Sequence, residues 1–115
     1  MGCNCNCGEV EFDGAYVGTK LKYKVEITAE GFSMDDDEFE VEVRRGRQSV
    51  VIKKQDMLIH DPEEGDVEYY IVVDTEALGP GRYEVITRAY VPDDDFEDGV
   101  RLEIAKQVLI PVASV

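Results

Sequence analysis

The sequence predicts an all-β protein, an antiparallel sandwich of about seven strands with an extended N-terminal arm. Three observations carry this. Apolar residues recur at every second position in segment after segment, the pattern of strands with one buried and one wet face. Clusters of Gly, Pro and Asp separate these segments at about the 8–12-residue spacing of a sandwich. No segment shows the 3.6-residue period of an amphipathic helix of useful length.

In "KLKYKVEITA", Leu21, Tyr23, Val25, Ile27 and Ala29 point one way, and Lys20, Lys22, Lys24, Glu26 and Thr28 the other. "EFEVEVRR" repeats the pattern, with Phe39, Val41 and Val43 inward and Glu38, Glu40 and Glu42 outward. The Lys face of one strand and the Glu face of the other are expected to pair across a sheet, at roughly 0.2–1 kcal/mol per pair. "RRGRQ" reads as a hairpin turn around Gly46, and "SVVIKK" as a short strand. "DMLIH" is another strand or a sheet-crossing continuation, and "DPEEGD", with Pro62 and Gly65, is a loop. "VEYYIVV" sets Val67, Tyr69, Ile71 and Val73 on one face, and "DTEAL" forms one helical turn capped by Asp74 or Thr75. "RYEVITRAYV" is a long strand and "VRLEIAKQVLIPV" the closing one, with Pro111 confining its end to a sheet edge.

Residues 1–8 fall outside this pattern and read as a Gly/Asn/Cys arm, which leaves residues 9–115 as the sandwich domain. A chain of 115 residues with 43% hydrophobic content is one domain that builds its own core without staples. Its net charge of −14 repels phosphate backbones and anionic lipid heads, so neither nucleic acid nor a membrane surface is an expected partner. The charge favours solubility, cation capture or docking on a basic partner. No segment approaches the ~20 apolar residues of a membrane helix. No apolar signal region follows the start, and no cysteine pair lies in the predicted core, so synthesis in a reducing cytosol is expected.

"LGPGRYEVITRAYV", running Leu78, Pro80, Gly81, Tyr83, Val85 and Ala89, is the most specific stretch. It resembles the start of the sixth strand of fibronectin type III and immunoglobulin-like domains, where a tyrosine corner closes the sandwich. The resemblance implies an immunoglobulin-like sandwich in which Tyr83 hydrogen-bonds backward to the loop holding Leu78. Neither a tryptophan on the third strand nor an inter-sheet cysteine pair is present, which excludes an antibody-type domain. The acidic sandwich with its free arm and its "VDTEALGPGRYEV" segment also resembles small structural proteins of tailed bacteriophages, in particular of the crAss-like group. These are capsid auxiliary or decoration proteins and the sandwich domains of tail parts. That resemblance implies a non-enzymatic virion protein, made in the host bacterial cytoplasm, that binds other capsid proteins as a homo-oligomer, a trimer among the options.

Cys3, Cys5 and Cys7 supply three thiols on one arm. Structural zinc wants four ligands at wider spacing, and His60 would be a fourth only if the arm folded back. The arm is either loose, a contact to a neighbouring subunit by disulfide or shared metal, or a single-chain metal site. Acylation at Gly2 and Cys3 is disfavoured because Asn6 stands where the acylation pattern wants Ser or Thr. The runs Asp35, Asp36, Asp37, Glu38 and Asp93, Asp94, Asp95, Glu97, Asp98 offer oxygens for calcium, with Asp93, Asp95 and Asp98 the metal candidates, or they are hydrated turns. The EF-hand spacing fails, because Gly99 sits one place late.

Catalysis finds little support: His60 is the sole histidine, and no glycine-rich phosphate cradle exists. Arg44, Arg45 and Arg47, with Lys53 and Lys54 nearby, form a basic hairpin that either docks a partner or balances the Glu-rich strand beside it. The leading expectation is thus a capsid decoration protein using the cysteine arm and this hairpin as contacts. The alternative is a small carbohydrate- or calcium-binding module, with exposed Tyr70 or Tyr90 stacking on sugar rings.

Overall fold

The computed structural model describes residues 15–61, 65–108 and 112–114. These form nine strands: β1 (Ala15–Tyr16), β2 (Lys20–Val25), β3 (Phe39–Arg45), β4 (Gln48–Lys53), β5 (Leu58–His60), β6 (Glu68–Asp74), β7 (Glu84–Pro92), β8 (Val100–Val108) and β9 (Val112–Ala113). One helical turn, α1 (Thr75–Leu78), joins β6 to β7. The strands make a three-stranded sheet in the order β2-β6-β5 and a four-stranded sheet in the order β4-β3-β7-β8, with β1 and β9 as a parallel pair. Within the two larger sheets every neighbour is antiparallel. This is the strand order of an immunoglobulin-like sandwich.

Local sequence explains the elements. The β3–β4 hairpin closes over Gly46 and Arg47, because Gly46 adopts φ 57 without the clash a Cβ would bring. After β4, a 3₁₀ turn at Lys54–Asp56 carries the chain to the opposite sheet, so "DMLIH" is the sheet-crossing strand. Asp74, rather than Thr75, caps α1 by accepting from the Glu76 amide. Thr75 is fully buried instead, its Oγ1 accepting from the Gly18 amide and donating to the Thr19 carbonyl.

The predicted inward faces meet in the core. Phe39, Val41 and Val43 of β3 oppose Tyr69, Ile71 and Val73 of β6, all at or below 6% exposure. Side chains of this size each contribute roughly 1.5–3 kcal/mol on burial. Phe39 and Tyr69 pack edge to face, their ring centroids 5.3 Å apart.

Three expectations are corrected. The strand from Lys20 ends at Val25, and residues 26–29 continue as irregular chain with Ile27 half-buried. The Lys face of β2 does not pair with the Glu face of β3, because topology puts the two strands in different sheets. Lys24 instead meets Glu68 of β6 at 2.8 Å, while Glu40 of β3 meets Lys53 of β4 at 2.8 Å and Arg88 of β7 at 3.3 Å. Tyr70 and Tyr90 are not exposed: both are half-buried, and they sit on different sheets. The arm at residues 1–8, with Cys3, Cys5 and Cys7, lies outside the described residues, as do Pro62 and Pro111.

β8 has an orientation that its alternation alone left open. Its register sets Glu103, Ala105 and Gln107 opposite Ala89, Thr87 and Val85, on the core side of the sheet. Leu102, Ile104 and Val108 therefore lie on the outer side, 48%, 60% and 55% exposed. In a strand the choice of register decides which set is wet.

Candidate functional site

The arginine hairpin divides. Arg45 turns back into the protein, where its Nε donates to the Leu78 carbonyl, its guanidinium lies beside Gly79 and its stem beside Gly81. Arg44 pairs with Glu84 at 3.5 Å. Arg47, at the exposed tip, makes no ion pair among the described residues and is the one of the three left for a partner. The corner held by Arg45 is the expected tyrosine corner: fully buried Tyr83 donates its hydroxyl to the Gly79 carbonyl, with the Thr75 carbonyl 3.3 Å away. Burial raises the Tyr83 pKa, so the hydroxyl stays a donor.

The outer face of the four-stranded sheet is the broadest organised surface. Its register aligns Lys53, Glu40, Arg88 and Ile104 in one row, Val51, Glu42, Ile86 and Lys106 in the next, and Ser49, Arg44, Glu84 and Val108 in a third. Tyr90 and Leu102 pair beyond the first row. Arg88 bridges Glu40 at 3.3 Å and Glu42 at 2.7 Å, and Lys106 pairs with Glu84. The Lys53 ammonium hydrogen-bonded to Glu40 holds that carboxyl below its ordinary pKa, and Arg88 does the same to Glu42. Tyr90 directs its hydroxyl to Glu40 from 3.4 Å, completing the shield that leaves Glu40 8% exposed.

This face carries four cations (Arg44, Lys53, Arg88, Lys106) against four carboxylates (Glu40, Glu42, Glu84 and Glu38, whose carbonyl accepts from the Tyr90 amide), a net charge of zero on a chain of −14. Among its charges stand exposed Leu102, Ile104, Val108 and Val51. Charges already paired with one another cost less to desolvate than free ones, and exposed aliphatics gain from cover. Composition hid this face, because a whole-chain charge cannot show where the neutral part lies. The signal open to sequence reading was Leu102, Ile104 and Val108 alternating with Glu103, Ala105 and Gln107, but not the side each set takes.

The opposite sheet has a smaller polar cluster. Glu68 accepts from Lys24 at 2.8 Å, Tyr70 at 3.0 Å and His60 at 3.1 Å, and its pKa falls to about 2, chiefly through Lys24. His60 thus meets Glu68 rather than its sequence neighbour Asp61. Lys22 stands 4.6 Å over the Tyr70 ring, on the surface proposed for a sugar.

The fold brings the two acidic runs to one end of the sandwich. Arg101 ties the second run to the chain ahead of the first, donating to Asp93 at 2.7 Å and to the Glu30 carbonyl at 3.1 Å. Asp93 also accepts from the Asp95 amide and Asp98 from the Val100 amide, so their oxygens serve the turn. In the other run, Asp35 accepts from Tyr69, and Lys54 binds the Asp35 and Asp37 carbonyls at 2.9 Å each. Among the described residues no three His, Cys, Asp or Glu side chains are grouped to hold a metal ion.

The fold and this face define a class, the immunoglobulin-like β-sandwich, here with a near-neutral apolar sheet face on an acidic body. No family model matches the chain, and neither a curated protein nor a solved structure shows significant similarity to it.

Proposed function

We propose that this protein is a non-enzymatic virion structural protein, an auxiliary or decoration protein that binds other capsid proteins of a phage. The outer face of β4, β3, β7 and β8 supports this reading. It is a sheet surface that gathers Leu102, Ile104 and Val108 and whose charges balance, although the chain as a whole is strongly acidic. A strongly negative protein repels its neighbours through most of its surface. Close packing in a crowded lattice is therefore cheaper through a sheet face whose charges are balanced than through the acidic loops. Arg47 at the hairpin tip and the thiols Cys3, Cys5 and Cys7 are further contacts in this reading, and homo-oligomers are expected on the particle.

Mass spectrometry of purified parent particles tests the location, and the protein's absence from them would end the reading. Co-sedimentation of the purified protein with particles stripped of it tests the face. Leu102→Glu with Ile104→Glu should abolish pelleting, whereas Lys20→Glu on the opposite sheet should not.

A further inference from the structure

Each of the two larger sheets has two outer strands, and these differ in how far they resist pairing with another chain. β2 carries Lys20, Lys22 and Lys24, β8 carries Arg101, Glu103 and Lys106, and β5 is three residues long. Charge and short length are the usual guards of a sheet edge. β4 has neither. Its six residues, "QSVVIK", pair one for one with β3, without proline or bulge. Its one charge, Lys53, is turned to Glu40 of its own sheet at 2.8 Å. Val50 and Val51 lie on opposite faces of the strand and are 43% and 44% exposed. Because β4 is outermost, alternate amides and carbonyls along it have no strand partner among the described residues. A groove of about 560 Å³ opens beside this edge, with Val50, Ile52, Met57, Leu58 and Val72 in its lining.

We infer that β4 pairs antiparallel with β4 of a second copy, across a two-fold axis that passes between the two Val51 residues, so that two four-stranded sheets become one continuous sheet. A two-fold axis normal to the sheet keeps the outer faces on one side, so only residues of the same face stand opposite each other. Charge then selects the register. Centring on Val50 would set Lys53 beside Arg47 of the second copy, like charges against each other. Centring on Ile52 would set Lys53 against Val51 and Lys54 against Val50. Centring on Val51 sets Ile52 against Val50 on the core face and Lys53 against Ser49 on the outer one. It also brings the Arg47 end of each hairpin beside the turn that holds Asp56 in the other copy. Arg47 and Asp56 are both exposed and make no ion pair among the described residues. The occupant is a second copy rather than an unrelated strand because this register is self-complementary, as a two-fold interface requires. Each charged residue meets a neutral or opposite one, and the second copy's Val50 and Ile52 cover the rim of the groove.

Main-chain hydrogen bonds along the edge and the apolar pairs beside it hold such a dimer. One short strand from each copy makes a small interface, so its dissociation constant is expected on the order of micromolar. The inference stands apart from the virion reading, because it concerns the chain alone.

The test uses the full chain with Cys3, Cys5 and Cys7 changed to Ser, which removes any link through those thiols. Sedimentation velocity over roughly 5–200 µM should show a reversible equilibrium between monomer and dimer. Val51→Lys, which places two lysines on the axis, should weaken the dimer about tenfold or more. It should leave Tm nearly unchanged, because Val51 is an exposed position. Leu102→Glu with Ile104→Glu, on the opposite edge of the same sheet, should leave the dimer intact. Val51→Cys should form a disulfide between chains under mild oxidation, seen on a non-reducing gel, and Ser49→Cys several-fold less. A chain that stays monomeric over this range, or a dimer indifferent to Val51→Lys, would overturn the inference. So would a dimer lost in the Leu102 and Ile104 double variant, which would put association on the outer face. A link through Val50→Cys but not through Val51→Cys would overturn the register. If Val51→Lys fails to fold, the disulfide experiment still decides.

Discussion

Arg45 at the end of β3 donates from its Nε to the carbonyl of Leu78 at the end of α1, joining the basic hairpin to the tyrosine corner. A Cβ at Gly81 would come within 2.8 Å of Arg45 Cδ, so the arginine stem and the glycine fit each other. Arg45→Ala should lower stability by about 1–2 kcal/mol through the lost charged donor and the lost packing of the stem. Arg47→Ala, at the exposed tip, should stay within about 0.5 kcal/mol. Urea denaturation of both variants separates clamp from surface charge, and equal midpoints would deny Arg45 its role. Gly81→Ala should also destabilise, because φ +141 strains any residue with a Cβ.

Tyr83→Phe isolates the corner hydrogen bond. The ring still fills its fully buried site, but the Gly79 carbonyl loses its donor. The expected cost is about 1–2 kcal/mol. Tyr83→Ala adds a cavity and should cost about 3–5 kcal/mol. Calorimetric Tm values in that order, wild type above Phe above Ala, are the predicted outcome.

Acid stability should carry the signature of Glu68. Its folded-state pKa of about 2 lies below the ordinary value, so its contribution is complete above the unfolded pKa of about 4.3 and is lost as pH falls toward 2. Glu40, lowered mainly by Lys53, acts in the same direction. Glu68→Gln should therefore be less stable than the wild type at pH 7, with the gap closing between pH 4.5 and pH 2. A gap independent of pH would mean that the contacts of Glu68 do not depend on its charge.

Arg88 holds Glu40 and Glu42 together on the face proposed for docking. Arg88→Ala leaves both carboxylates adjacent and partly shielded, at an expected cost of about 1–2 kcal/mol. Leu102→Glu with Ile104→Glu, by contrast, changes exposed side chains and should leave Tm nearly unchanged. Circular dichroism melts check both.

Much of the fold was legible because it rests on local rules. The alternation in β3 and β6 named Phe39, Val41, Val43, Tyr69, Ile71 and Val73 as buried, whereas of the inward set around β2 only Val25 is buried and Leu21 and Tyr23 are half-buried. Gly46 marked the hairpin, the pair Asp74 and Thr75 the cap, which Asp74 provides, and the segment from Leu78 to Tyr83 the corner. The candidate face was less legible. Its rows join residues far apart in sequence, such as Lys53, Glu40, Arg88 and Ile104, and sequence distance says nothing about such neighbours.

The sequence by itself determined which residues of a strand share a face, since a pleated backbone points successive side chains to opposite sides. Only the tertiary structure decided which sheet each strand joined and which of its faces met the core. That choice parted the lysines of β2 from the glutamates of β3, placed Glu40 under Lys53 and Arg88, and turned Leu102 and Ile104 outward. The reason is that strand partnership and register are non-local: they follow from how two whole sheets bury the most apolar surface together, a quantity that no single segment contains.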